Sequence, residues 1–439
     1  MDLNALYLRT RFWIKDFLKG SPIRKPYNEI KFIQENSYEK GLPIREAALQ
    51  QLLNFAKQNT TFYKNIQGND LKSFPIMNKF SLLEHYNEIC VEKSKIPGQV
   101  GDVHIQTTSG STGTPFKIPQ DTRKRMRRIA ELKYFGAIAG FKTHEKLIHL
   151  RTWNRWQQKT AKQIKTENII PFDISKIGDV ELKQLCELII SSKAVCLRGY
   201  ASSLGKLAEY AKDKGYKFPH LKLAIAGAES LQDDVRALFK EVMHADIQSQ
   251  YANEECGILA QERVPTLEKD NPMYWNNSGY FFEVLKFDSD EPAEYGELGR
   301  IVITDLHNYA FPVIRYDNGD TAILQAPNQF SNGYPIIEKL YGRRLDLTYT
   351  TTGTAVSPLT YGRILKHYEN IAQWQFIQNG EKDYALNLIM RGEEPNLPSI
   401  VEMLKESLGR DANIIINKVD DIPILASGKR KPVVNNWQK

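Results

Sequence analysis

The chain has 439 residues, 41% hydrophobic and 25% charged, with 59 Lys and Arg against 52 Asp and Glu. The length exceeds one ordinary core and implies two or three domains, and the composition is that of a soluble globular protein. A net charge of +7 is too small to argue for nucleic acid but suits polyanionic ligands. Four cysteines without a Cys-x-x-Cys pair and eight histidines without metal spacing exclude a disulfide scaffold and argue against a zinc site. There is no apolar run of about 18 residues, so no membrane span is expected. Arg9, Arg11, Lys15 and Asp16 interrupt any signal-peptide pattern, and a cytoplasmic location is the expectation.

In chain order, Leu6, Phe12, Trp13 and Phe17 with interleaved basic residues predict an N-terminal helix packed on the body. A weak contact with a membrane surface is the alternative. Glu46–Ala56 carries apolar residues at helical spacing, Pro75 breaks the pattern, and a short helix resumes over Ser81–Tyr86. Residues 107–115 read Thr-Thr-Ser-Gly-Ser-Thr-Gly-Thr-Pro. Glycines let several N–H groups converge on one anion, and hydroxyls add donors. The helix-like stretch Arg123–Ala139 then offers an N-terminus that favours negative charge. Ser109, Gly110, Ser111, Thr112, Gly113 and Thr114 are therefore read as a polyphosphate cradle, although for such a string alone a polar surface loop is the favoured reading. It is not a Walker loop. Arg123, Lys124, Arg125, Arg127 and Arg128 read as a solvated helix face, with an anion landing site as the alternative.

From 146 to 260, strand-like runs (Lys146–Leu150, Ala194–Leu197, Leu221–Ala226, Ile247–Gln250) alternate with helical ones (Val180–Ser191, Ser203–Lys214, Gln232–Met243). That is the pattern of a parallel sheet covered by helices. Ligands of such sheets sit outside the carboxyl ends of the strands. The segments at 198–203, 227–230 and 251–255 each follow a strand and are expected to be site loops. Tyr280–Phe287, Gly299–Asp305 and Ala322–Leu324 suggest an antiparallel β subdomain, and the composition shifts again past Gly342.

Taken together, these segments resemble the adenylate-forming superfamily, most closely its phenylacetate-CoA ligase branch and the CapK-like proteins linked to capsular polysaccharide gene clusters. Ser109–Pro115 resembles the family's phosphate loop, and Leu71–Phe80 its Leu-Pro-x-x-x-Lys segment. Gly199–Leu204 resembles the substrate-side loop and Ala226–Ser230 the adenine loop. Tyr251–Glu255 falls at Tyr-Gly-x-x-Glu, and Arg315–Asp320 at Arg-Tyr-x-x-Gly-Asp. Gly342-Arg343 resembles the hinge signature and Ser427-Gly428-Lys429 the C-terminal lysine loop.

The resemblance implies an α/β fold. A large N-terminal domain over 1–342 would hold helix-covered, mostly parallel sheets and a β subdomain. A hinge would lie at 343–346 and a small α+β lid at 347–439. The implied activity is ATP-dependent formation of an acyl-adenylate with release of pyrophosphate, followed by acyl transfer to CoA or to another thiol, amine or hydroxyl. A non-catalytic nucleotide- or glycan-binding component of a capsular polysaccharide pathway is the alternative. The implied cofactors are ATP, Mg2+ and CoA. The loop at Ser109–Thr114 would hold the terminal phosphates, Gly227, Ala228 and Glu229 would line adenine, and Tyr251 would stack on it. Asp320 would accept hydrogen bonds from the ribose, Arg343 would donate to ribose or phosphate, and Lys429 would bridge the carboxylate and the α-phosphate. Glu255 would coordinate Mg2+, with Glu254 its neighbouring competitor. Trp153, Trp156 and Tyr200 are positional candidates for the carboxylate pocket, and Cys256 reads as packing. The chain departs from the pattern at Thr114, where many relatives have Lys, at Ala252, and at Leu345, where an acid is usual and Asp346 follows. No nucleic-acid partner is expected, and monomer and homodimer both stay open.

Overall fold

A computed structural model describes residues 2–107, 116–153, 159–263, 271–287, 289–343, 347–356, 358–365, 368, 370–390, 392, 395–422 and 432–437. The chain opens with helices α1 (Leu3–Leu18), α2 (Arg24–Glu35) and α3 (Tyr38–Asn59), then α4 (Lys79–Glu84) and α5 (Tyr86–Ile89). A hairpin of β1 (His104–Thr107) and β2 (Lys117–Gln120) leads into α6 (Thr122–Ile138), whose N-cap Asp121 accepts from the Lys124 N–H. Next, β3 (Leu147–Arg151), α7 (Ala161–Glu167), β4 (Ile169–Asp173), α8 (Asp179–Ser192), β5 (Cys196–Tyr200), α9 (Ala201–Lys214), β6 (Leu223–Gly227), α10 (Asp233–Met243) and β7 (Asp246–Asn253) alternate. Strands β8 (Gly257–Glu262), β9 (Met273–Trp275), β10 (Tyr280–Leu285), β11 (Leu298–Asp305), β12 (Tyr316–Gln325) and β13 (Ile336–Arg343) follow.

One 11-stranded sheet runs in the order β10-β11-β12-β13-β9-β8-β7-β6-β5-β3-β4. The strands from β4 to β7 pair in parallel. β8 returns antiparallel to β7, and β9 antiparallel to β8. Side chains alternate between the faces of each strand. Ile148, Leu150, Leu197, Ala224, Ala226 and Ile247 therefore point to one side, packed with Leu185, Leu204, Ala208 and Phe239 from α8, α9 and α10. On the other face Leu147, Cys196, Leu223 and Ile225 pack with Ala139 at the end of α6.

The chain forms two compact units, the larger running to Lys339 and the smaller holding Gly319–Ala322 and Leu340–Lys439. The smaller contains a hairpin of β14 (Thr348–Tyr349) and β15 (Ala355–Val356), then α11 (Pro358–Leu365), β16 (Ile371–Gln378), β17 (Asp383–Met390), α12 (Leu397–Leu408), β18 (Asn413–Lys418) and β19 (Val433–Asn435). Its four-stranded sheet has the order β18-β17-β16-β19. Tyr361, Phe376, Leu386, Leu388, Ile400, Leu404 and Leu408 form its core.

α1 is two-sided. Ala5, Leu8, Phe12 and Trp13 turn inward, the last two onto the cluster of Ile30, Ala130 and Tyr134, while Leu3, Tyr7, Ile14, Phe17 and Leu18 stay exposed. No helix among the described residues is long and apolar enough to cross a membrane.

The basic run on α6 is not a solvated face. Lys124 is fully buried, with Nζ 2.6 Å from Asp305 Oδ2. Arg127 is buried between Glu29, at 2.8 Å, and the Ser278 carbonyl, at 2.5 Å. Arg123 lies over the Tyr309 ring. The expectation fails because the partners are distant in sequence, where local charge patterning carries no trace of them.

Candidate functional site

The register of the parallel strands builds the site's edge. Tyr200 pairs with Gly227, and Gly227 with Gln250. The chain leaving each of these residues therefore emerges beside its neighbour. Ala228 sits at φ 64°, in the left-handed region that an L residue enters at a cost of about 1–2 kcal/mol. Glu229 accepts a hydrogen bond from the Ser202 N–H at 3.0 Å. That N–H belongs to the first turn of α9, whose N-cap Tyr200 makes no side-chain cap. Glu229 thus couples the expected adenine loop to the expected substrate-side loop. Tyr251 is buried, and its hydroxyl accepts from Asn318 Nδ2 at 2.6 Å.

The β1–β2 register, His104 opposite Gln120 and Thr107 opposite Lys117, forms a stem at the roots of the Gly- and Ser-rich loop. Ser109, Gly110, Ser111, Thr112, Gly113 and Thr114 themselves lie outside the described residues. The stem is fastened to the turn between β7 and β8. Gln106 Nε2 donates to Glu254 Oε2 at 2.7 Å, and Gln120 Nε2 to the Glu255 carbonyl at 3.3 Å. Arg128 Nη1 donates to the Glu254 carbonyl at 3.1 Å and to Gln120 Oε1 at 3.2 Å. From below, the Tyr280 hydroxyl donates to the Cys256 carbonyl at 2.7 Å, and Lys124 Nζ donates to that hydroxyl at 3.2 Å. Burial pushes the Cys256 thiol well above its ordinary range, which suits packing and not nucleophilic chemistry.

A third connection joins two sequence motifs. The Met77 N–H donates to the Arg315 carbonyl at 2.9 Å, and the Asp317 N–H to the Met77 carbonyl at 2.8 Å. The Arg315 guanidinium grips both oxygens of Glu283 at 3.0 Å and donates to the Phe74 carbonyl at 3.1 Å. Arg315 is therefore a clamp between Leu71–Phe80 and the segment that opens β12. Asp320 lies within β12 after Gly319, at φ 82°, so it is not the turn residue of a hairpin.

Deeper in the sheet, His149, Arg198, Ile225 and Gln248 align across β3, β5, β6 and β7. Trp153 stands beside them. Its Nε1 donates to the Phe172 carbonyl at 3.2 Å, and its ring lies between His149 and Arg151 at 5.4 and 5.5 Å.

Glu254, Glu255, Tyr251, Gly227, Ala228 and Glu229 therefore lie in one region of the large unit. Only the backbone of Arg343 is described, where it ends β13. Trp156, Leu345, Asp346 and Lys429 lie outside the described residues. Sequence reasoning missed Gln106, Gln120 and Gln248, and it gave no role to Arg198 or Asn318, although both lie in segments it had singled out. One signal was present: Arg198 interrupts the apolar run Val-Cys-Leu-Arg-Gly-Tyr, where a charge has no packing role.

Residues 348–436 match the CapK C-terminal domain family. No curated protein matches the chain in sequence. Among solved structures, 2-hydroxyisobutyryl-CoA ligase in its postadenylation state, in complex with 2-HIB-AMP, superposes with a TM-score of 0.72 at 16% identity, over 91% of this chain and 90% of that one. The same ligase with 2-HIB-AMP and CoA, in the thioesterification state, gives 0.56 at 17% identity, over 90% and 89%. Anthranilate CoA ligase AuaEII with anthranoyl-AMP gives 0.55 at 14%, over 74% and 65%. ATP-bound MatB from Rhodopseudomonas palustris gives 0.54 at 14%, over 74% and 66%.

Proposed function

Because the chain has the fold of AMP-forming CoA ligases and carries a CapK C-terminal domain, we propose that it activates a carboxylic acid with ATP. The observation that carries this reading is the fastening of the β1–β2 stem to the Glu254–Cys256 turn through Gln106, Gln120 and Arg128. It sets the root of a loop rich in hydroxyl and backbone donors beside carboxylates, the pairing that phosphates and their counter-cation require.

An oxygen of the substrate carboxylate attacks the α-phosphorus of ATP, the bond to the bridging oxygen breaks, and pyrophosphate leaves. Donors preorganised around the phosphorus offset the charge that builds there. Ser109–Thr114 bind the terminal phosphates, and Lys429 spans the carboxylate and the α-phosphate. Tyr251, fixed by Asn318, and the Gly227–Glu229 edge take the adenine. Asp320 accepts from the ribose hydroxyls and Arg343 donates to ribose or phosphate. By the family resemblance Glu255 would hold Mg2+, with Glu254, which receives Gln106, its neighbouring competitor; the cation, when bound, would neutralise phosphate charge. The acyl carbon is then attacked by an acceptor, and AMP departs with the carboxylate-derived oxygen. CoA or another thiol fits that role. The resemblance to CapK-like proteins adds a saccharide amine or hydroxyl in surface-polysaccharide assembly. Residues 343–346 serve as the hinge of a lid over 347–439.

The test is pyrophosphate release screened over aryl, fatty, amino and dicarboxylic acids, with and without CoA. Release that depends on one class of acid supports the reading. ATP binding without release for any acid overturns it in favour of a nucleotide-binding component.

A further inference from the structure

One face of the parallel sheet changes character along its strands. Near their amino ends Leu147, Cys196 and Leu223 pack with Ala139. One step further His149, Arg198 and Gln248 lie in register on that same face, with Ile225 between the last two. Gln248 is fully buried, and neither of its amide atoms has a hydrogen-bond partner among the described residues. Arg198 is partly exposed, but its Nε is sealed from solvent and has no acceptor among the described residues. Among the described residues no carboxylate answers the guanidinium, which is perturbed by burial and by the Cys196 thiol. Burial and the nearby Arg198, Arg151 and Lys159 hold the His149 pKa well below its ordinary value, so the imidazole is neutral. This layer therefore contains an unanswered cation and an unanswered amide, a costly arrangement for a structure with no use for it.

Arg198 precedes Tyr200 by two residues on β5, which puts it about 7 Å further from the strand ends where the loops converge. A ligand group that reaches it lies at the far end of a molecule whose other end reaches those loops. We propose that the carboxylic acid this protein activates carries a second oxyanion, bound by Arg198 with the Gln248 amide donating beside it. Which carboxyl reacts rests on the function proposed above; the oxyanion site does not. Trp153, held by Phe172 and flanked by His149 and Arg151, forms one wall. Arg198 and Gln248 thus select for dicarboxylates or similar doubly anionic acids over fatty and simple aryl ones.

The experiment is calorimetric titration of the full chain with malonate, succinate, glutarate and adipate, each against the monocarboxylate of equal length, and with inorganic phosphate. At least one dianion should bind ten or more times tighter than its monoanionic counterpart, on the order of one charged hydrogen bond. Arg198→Met should remove that preference, and Arg198→Lys should keep part of it. Arg198→Met should leave the melting temperature unchanged or raise it, because it removes a partly buried charge that has no carboxylate partner among the described residues. Equal binding of all pairs, weak binding of every dianion, a preference that survives Arg198→Met, or a marked drop in melting temperature for that variant overturns the proposal. Equal weakening of both acid series by Arg198→Met also overturns it, since Arg198 would then hold the reacting carboxyl. If the preference holds but no acid yields pyrophosphate, the oxyanion site stands and the activation chemistry falls.

Discussion

Lys124 on α6 is a fully buried cation of the large unit and Arg198 on β5 a partly buried one, and they differ in what surrounds them. Lys124 meets Asp305 at 2.6 Å and the Tyr280 hydroxyl at 3.2 Å. Arg127, next to it, meets Glu29 and the Ser278 carbonyl. Arg198 meets no carboxylate among the described residues. The first cluster pairs its charges internally, although Arg127 Nε and both Glu131 oxygens stay buried without a hydrogen bond, and its work is mechanical, because Tyr280 carries its rigidity to the Cys256 carbonyl and so to the Glu254–Cys256 turn. The second lacks a carboxylate partner among the described residues, and the oxyanion proposed above would supply one. Neither burial of a charge nor one unbonded buried nitrogen marks a binding site; a cation with no carboxylate partner is the sharper signal.

Four measurements break or sharpen this contrast. Lys124→Met leaves Asp305 buried without its cation and should cost about 3–5 kcal/mol in denaturant unfolding. A loss as small as that of an ordinary surface substitution would erase the distinction between the clusters. A cation reserved for reaction should behave differently. Lys429→Ala should slow carboxylate-dependent pyrophosphate release about 100- to 1,000-fold while stability and ATP affinity change little. Unchanged release would move the adenylation role to another residue. Asp320→Ala should weaken ATP binding about ten- to a hundredfold, one charged hydrogen bond, read by calorimetry; equal affinity would make Asp320 a structural strand residue. The smallest effect is a slope. His149 has a folded-state pKa below its unfolded value of 6.5, so the unfolded chain binds more protons in acid. The stability this residue contributes is present above pH 6.5 and is lost as pH falls below it. His149→Gln should flatten that part of the decline in unfolding free energy. A profile identical to the parent's would mean that Arg198 and His149 do not share one unanswered layer.

The parallel half of the fold was legible where strand and helix periods alternate, and the expected elements differ from the observed ones by a few residues at their ends, but α7 and the edge strand β4 were not expected. The shift at β5 matters most. The strand reaches Tyr200, so Arg198 is a sheet residue and not part of the loop after it. Tyr251, Glu254, Glu255 and Glu229 were singled out because each follows an expected strand, although β7 runs on through Tyr251 to Asn253. Gln106 and Gln120 were not, because a glutamine in a short strand has no pattern of its own; its meaning comes from Glu254 and Glu255, far along the chain. The basic run on α6 was misread for the same reason. Asp305 lies beyond any local window, and only the folded sheet brings it to Lys124.

The Arg315 clamp has a bearing on how the protein is made. Its guanidinium reaches the Phe74 carbonyl, 241 positions earlier in the chain. A chain emerges from the ribosome amino end first, at about 5–20 residues per second, so Leu71–Phe80 stays unanchored for roughly 10 to 50 seconds after it appears. The entropy of closing so long a loop grows only slowly with its length. The delay comes from translation, and it exposes a short, weakly held segment during that interval. Chains that terminate before residue 315 lack the clamp altogether, and proteases should nick them first at 71–80.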